Sequence, residues 1–241
     1  MEARARETRR RYDSKYIIHG ERRTVYFVIQ KVACTSIKTA LLPLFDLNVE
    51  RFEETRSDGS RVILVHKLFD RSLHQVDKDE LLGGGYGDHF KFAFVRNPWD
   101  RLVSCYSQKI ATVPQNPKFK RPNLNPPGEE RFYSGMPFAE FVEAVHATPD
   151  EKANPHFRSQ HTVVCDPQGQ IMADFVGRFE NLRDDFARVA EKIGVPGLDL
   201  PHRLKSKSRK SRHYKDFYDE RLKRLVAERY ETDIETFGYS Y

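Results

Sequence analysis

The 241-residue sequence has little that would staple or anchor a chain. Its three cysteines, Cys34, Cys105 and Cys165, are too few and too widely spaced for a disulfide framework, and no Cys/His pair has zinc spacing. The longest unbroken aliphatic or aromatic run, Val25 to Ile29, is five residues. A membrane span needs about 18. The first ten residues carry six charges and no apolar stretch, so no secretory signal is expected. No glycine falls between Lys31 and Ser36, so the best-placed turn lacks the glycines of a Walker A loop. The acidic residues are dispersed without a magnesium-site pattern, and no internal repeat is found. These absences predict a reducing-compartment protein with no transmembrane segment and no metal.

What is present suffices for a core. Hydrophobic residues make up 39% and aromatics 12%, which excludes wholesale disorder. Lys and Arg number 41 against 35 Asp and Glu, a net charge of +6. A basic surface concentrates anions, whether nucleic acid, acidic glycan or nucleotide, and charge alone does not choose among them.

Residues 1–23 predict a flexible arm followed by a short edge strand at Tyr16–Ile18. Residues 24–30, TVYFVIQ, are the best strand candidate. A small-residue turn, Lys31 to Ser36, precedes a helix with Ile37, Ala40 and Leu41 inward and Pro43 as its stop. Arg61–Val65 reads as a second strand ending at His66, and Lys91–Val95 as a third. Asn97 then caps a helix with Pro98 in its first position. Residues 111–135 hold five prolines and form a long excursion. Thr162–Val164 and Ile171–Val176 suggest a hairpin, Asn181 with Asp184 an N-cap pair before a helix, and 214–230 a last helix. Strands interleaved with helices argue an α/β fold with a mainly parallel central sheet flanked by helices, over a single domain spanning 24–241. Ligands of such sheets sit beyond the carboxyl ends of the strands, where both turns lie.

The first turn offers backbone N–H groups, the Thr35 and Ser36 hydroxyls and the Lys31 charge to an anion, with Ala33 and Cys34 small enough for close approach. An ordinary capped turn would look the same. The second places Arg96 at a strand end, where a guanidinium can grip phosphate, or can pair with Asp100 while Trp99 packs in the core. The glycines at 83–85 neither follow a strand nor lead into a helix, so they are not read as a phosphate loop. The cysteines read as packing residues.

VYFVIQKVACTSIKTAL resembles the 5′-phosphosulfate loop of sulfotransferases that use 3′-phosphoadenosine 5′-phosphosulfate (PAPS). KFAFVRNPWDRLVSCY is similar to their 3′-phosphate segment, about 65 residues on. NPHFRSQHTVVCD, DFVGRFENLRDDFARVAEKIG and ERYETDIETFGY resemble the carbohydrate branch, family 2, with Golgi-type and bacterial members. The resemblance covers about residues 24–240 and implies a P-loop-like sulfotransferase fold. It implies PAPS as co-substrate, PAP as product and no metal. It matches Lys31, Ala33, Cys34, Thr35 and Ser36 to the 5′-phosphosulfate site, and Arg96 and Ser104 to the 3′-phosphate. Lys205, Ser206 and Arg209 match a basic loop that closes over the nucleotide.

Sulfuryl transfer needs a base for the acceptor hydroxyl. His66, at a strand end on the same edge, fills that role, with His156 and His161 as rivals. Lys31 would neutralise charge on the departing oxygen. Lys118, Lys120, Arg121, His156, Arg158 and His161 form the expected acceptor side, suited to an anionic glycan and not to nucleic acid. A nucleotide kinase would want Walker glycines and a magnesium aspartate. A non-catalytic heparin- or nucleic-acid-binding module would want one continuous basic face. Golgi relatives carry an amino-terminal anchor. The charged Met start here points to a bacterial cytoplasmic enzyme, with a trimmed lumenal domain as the alternative.

Overall fold

The computed structural model describes residues 15–55, 59, 61–70, 72, 74–111, 124–125, 129–201 and 213–241. The expected ligands Lys118, Lys120, Arg121, Lys205, Ser206 and Arg209 lie outside the described residues.

Branched and aromatic segments make the strands β1 (Lys15–His19), β2 (Thr24–Val28), β3 (Glu53–Thr55), β4 (Arg61–Ile63), β5 (Gln75–Val76), β6 (Phe90–Val95) and β7 (Phe175–Arg178). Five form one sheet in the order β5-β1-β2-β6-β7. β2 pairs in parallel with β6, and β6 with β7, placing Tyr26 opposite Phe92 and Phe92 opposite Phe175. β1 is antiparallel to both of its neighbours, so it alone opposes the other four. The sheet is therefore α/β and mainly parallel, as expected. Every residue of β2 is buried, which is why its sequence runs apolar without alternation.

The helices are α1 (Cys34–Leu41), α2 (Val65–Asp70), α3 (Lys78–Gly83), α4 (Pro98–Lys109), α5 (Phe138–His146), α6 (His161–Val164), α7 (Leu182–Lys192), α8 (Glu220–Arg229) and α9 (Glu231–Phe237). Asn97 caps α4 as predicted, its side chain accepting from the Trp99 and Asp100 amides. One apolar cluster packs α1 and α7 on the sheet, with Ile37, Leu41, Phe186 and Val189 buried. A second joins α4, α5 and α8 through Leu102, Phe141, Val142, Leu222 and Val226.

Five local expectations change. Arg61–Ile63 is a strand, but it pairs only with β3 in a separate antiparallel hairpin. The chain is helical from Val65, because Val65, Leu68 and Phe69 bury one helical face, so His66 lies in the first turn of α2 and not at a sheet strand's end. Thr162–Val164 is helical, and a single Cys165–Ile171 bridge closes the turn where Asp166 Oδ1 accepts from the amides of Gln168 and Gln170. β1 is not the edge: the two-residue β5 flanks it, and Tyr16 is fully buried. Asn181 caps nothing; its Nδ2 donates to Asp185 Oδ1 at 3.1 Å. The last helix is broken, because Asp219 accepts from the Leu222 amide and starts α8 afresh after a 3-10 turn at Tyr214–Phe217.

Gly177 sits opposite Phe94 in the β6–β7 ladder, and a Cβ there would lie 2.5 Å from the Phe94 ring and 3.1 Å from Asp185 Cβ. Gly177→Ala should lower unfolding free energy in denaturant by about 1–3 kcal/mol, the scale of core overpacking. Gly83→Ala, with open space around it, should be near neutral. Equal behaviour of the two variants would refute this packing constraint.

Candidate active site

Because β2 and β6 are adjacent and parallel, the chain leaves both at the same edge of the sheet. From β2 it makes the turn into α1; from β6 it passes Arg96 and Asn97 into α4. The first turn has no glycine, yet Lys31 (φ 71°) and Ala33 (φ 66°) both adopt the left-handed conformation. Such backbone costs about 1–3 kcal/mol per residue and persists only where neighbours impose it. Here Arg96 Nη1 donates to the Lys31 carbonyl at 2.9 Å and Arg101 Nε to the Gln30 carbonyl at 3.0 Å. Lys31 Nζ donates to Gln108 Oε1 at 2.6 Å, and Cys34 Sγ to Gln30 Oε1 at 3.2 Å. The second turn and its helix thus hold the first.

Thr35 is exposed at the start of α1, and its Oγ1 lies 2.8 Å from His66 Nε2. One turn further, Lys38 is 1% exposed with Nζ 5.6 Å from the centre of the Phe69 ring. Residues 35 and 38 of α1 therefore meet 66 and 69 of α2 in step. This contact, not a sheet strand, brings His66 to the turn. Burial, then the charge of Lys38, and more weakly those of Lys109 and Lys15, push His66 down to about 4 against a pull from Asp70. Burial lowers Lys31 to about 8; the thiols of Cys105 and Cys34 oppose that shift, and the charges of Arg96 and Lys109 add to it. Ser36 and Cys34 are buried and Ala33 half-buried in the same turn.

Arg96 makes the pairing weighed from sequence. Its Nε and Nη2 reach Asp100 Oδ2 at 2.8 and 2.7 Å, and its guanidinium stacks 3.9 Å from the centre of the Phe179 ring. Gln160 brackets its backbone, accepting from the Arg96 amide and donating to the Arg96 carbonyl, both at 2.9 Å. Ser104 is half-buried on α4, which begins at this turn.

The acceptor-side candidates separate. Asn154 Oδ1 accepts from the backbone amide of His156 at 3.1 Å and lies 2.7 Å from its Nδ1. An atom accepting from an amide is an oxygen, so Nδ1 carries the proton and Nε2 keeps the lone pair. Burial, then Lys109, Lys31, Arg101 and His66, push His156 down to about 3, so its ring is neutral and shares the field of Lys31 and His66. His161 is instead tied to fully buried Asp233, whose Oδ1 accepts from its backbone amide at 2.8 Å and lies 2.9 Å from Nδ1. Arg158 Nε donates to the Ala153 carbonyl at 3.2 Å. Both residues thus serve the hold on the 153–161 segment itself.

Sequence reasoning missed Lys38, Arg101, Gln160 and Asp233. Lys38 and Arg101 repeat Thr35 and Arg96 at i+3 and i+5, but nothing in a sequence says that such cations are buried.

His66 and His156 are both neutral in the fold and bind protons near pH 6.5 when unfolded. Below about 6.5 the unfolded chain takes up protons that the folded chain refuses, so stability falls with pH. The loss runs down to about 4 for His66 and about 3 for His156. Urea unfolding across this window should show the fall, and a His66→Asn/His156→Asn double variant should flatten it. An unchanged slope would remove the burial assigned to both rings.

The profile of the sulfotransferase family matches residues 14–240. The chain is 26% identical over 238 residues to carbohydrate sulfotransferase 14 of Danio rerio, covering 92% of this chain and 61% of that protein. It is 27% identical over 246 residues to carbohydrate sulfotransferase 11 of Mus musculus, with 95% and 68% covered. Carbohydrate sulfotransferase 10 of Homo sapiens is 28% identical over 174 residues, with 63% and 47% covered. The chain thus spans about three fifths to two thirds of the first of these relatives, and under half of the last. No solved structure matches it. Among the described residues no helix is long and apolar enough to cross a membrane. A profile matched from the first sheet strand through the last helix, over two turns that meet at one sheet edge, identifies the chain as a member of the sulfotransferase family.

Proposed function

We propose that this chain moves the sulfuryl group of PAPS to a hydroxyl of a carbohydrate, with one sulfotransferase domain that takes in β1 as well as residues 24–241. The observation that carries the reading is the convergence of Lys31, Thr35 and His66 at the end of β2, with Thr35 Oγ1 2.8 Å from the imidazole. The strained turn, with Lys31, Ala33, Cys34, Thr35 and Ser36, receives the 5′-phosphosulfate. Arg96 and Ser104 receive the 3′-phosphate, and Asp100 fixes the guanidinium in place.

In the reaction the acceptor oxygen forms a bond to sulfur as the bond from sulfur to the bridging phosphate oxygen breaks. His66, neutral at pH 7, takes the acceptor proton. The electron pair of the broken bond stays on the bridging oxygen, beside the Lys31 ammonium, and PAP leaves. The acceptor lies on the 154–161 side, where His156 presents its Nε2 lone pair, and Lys31, Lys109 and Arg101 favour an anionic glycan. Three unpaired, buried thiols suit a cytoplasmic setting.

PAP should raise the melting temperature far more than ATP, which lacks the 3′-phosphate. Equal shifts would remove the PAPS assignment. His66→Ala should lower kcat by about 10²–10⁴-fold and leave PAP affinity unchanged. The acid limb of kcat/KM should fall well below pH 6.5, because burial and the Lys38 charge hold His66 near 4. Lys38→Met should move that limb upward. A threefold or smaller loss in His66→Ala would place the base elsewhere, with His156 next.

A further inference from the structure

Arg101 sits one turn into α4 and is 3% exposed. Its Nε donates to the Gln30 carbonyl at 3.0 Å, Nη1 to the Arg158 carbonyl at 2.7 Å and Nη2 to the Pro155 carbonyl at 3.1 Å. Gln30 immediately precedes strained Lys31, and Pro155 and Arg158 flank His156. A single planar fork therefore bonds the chain leaving β2 to the turn carrying His156. Arg96, five residues earlier, is neutralised by Asp100, whereas Arg101 makes no ion pair among the described residues. Among the described residues its buried charge is stabilised by backbone carbonyl dipoles, from two segments more than 120 positions apart along the chain.

We propose that Arg101 is a positioning residue that couples the donor turn to the acceptor turn and sets where the His156 lone pair stands relative to Lys31. This rests on the reading that the 154–158 turn handles the acceptor. The donor turn has further supports in Arg96 and Gln108. The far side of the acceptor segment is fastened to the last helices, through Tyr230 Oη donating to the Phe157 carbonyl and the Gln160 amide donating to Asp233. Arg101 joins its near side directly to the end of β2. Lysine keeps the charge but cannot span three carbonyls, because its donors radiate from one nitrogen. Displacing a reacting group by about 1 Å can cost about 10²-fold in rate.

The test compares Arg101→Lys, His156→Ala and the double variant, with PAPS as donor and desulfated glycosaminoglycan chains as acceptor. Arg101→Lys should lower kcat/KM for the acceptor by about 30–100-fold while PAP affinity changes less than about threefold. In the His156→Ala background the same substitution should cost less than about threefold, because both act through one ring. The His156 imidazole, followed by NMR, should titrate closer to 6.5 in Arg101→Lys while His66 does not move. An undiminished cost in the double variant, or an unmoved His156 titration, overturns the proposal. If His156→Ala leaves acceptor kinetics unchanged, the acceptor reading fails, and the NMR titration still decides the role of Arg101. Should Arg101→Lys not fold, the unmutated protein serves: PAP at the donor turn should slow hydrogen exchange at the Phe157 and Arg158 amides. No slowing there would overturn the coupling.

Discussion

The site depends on the parallel pairing of β2 with β6. That ladder puts two chain exits side by side, so arginines following β6 can reach the carbonyls following β2. Arg96 bonds the carbonyl of Lys31 and Arg101 that of Gln30. Those donors, with the Lys31–Gln108 bond, help to hold Lys31 and Ala33 in the left-handed region, where neither residue type rests by preference. A glycine-rich loop reaches such a shape through its own freedom. Here the shape is imposed from outside, and the two turns form one unit.

A second consequence is electrostatic. Gathering Lys31, Lys38, Arg96, Arg101 and Lys109 near one sheet edge creates a strongly positive, partly desolvated region. Two histidines inside it stay neutral, and Lys31 itself is lowered to about 8 by burial. Such a region attracts anions. The same positive field, together with burial, keeps both imidazoles free of a second proton.

Much of this was legible in the sequence, and in a graded way. The alternation of strands and helices, the Asn97-Pro98 start of α4 and each of the two strand-end turns are local, set by side-chain chemistry over a few residues. His66 was expected beside the first turn at the end of a sheet strand; it does lie beside that turn, but α2 packing on α1, not a sheet strand, delivers it. The 214–230 helix failed because the Asp219 cap restarts the helix within an apolar pattern that reads as continuous. His161 looked as promising as His156 in NPHFRSQH. Only the fold shows that one faces Asp233 and the other the lysines.

By itself the sequence determined the apolar strands, the capped helix starts and the glycine-free turn with its lysine and hydroxyls, because each follows from short-range sterics and hydrogen bonding. Tertiary structure alone decided which cations are buried, which histidine is tied to Asp233 and which stands in the field of the lysines, and which arginine bridges the chain leaving β2 to the 155–158 turn. Those properties depend on desolvation and on carbonyls contributed by segments far apart in the chain, such as Gln30 and Arg158 meeting at Arg101. No local pattern encodes a distance between two such segments; packing around the β2–β6 ladder does.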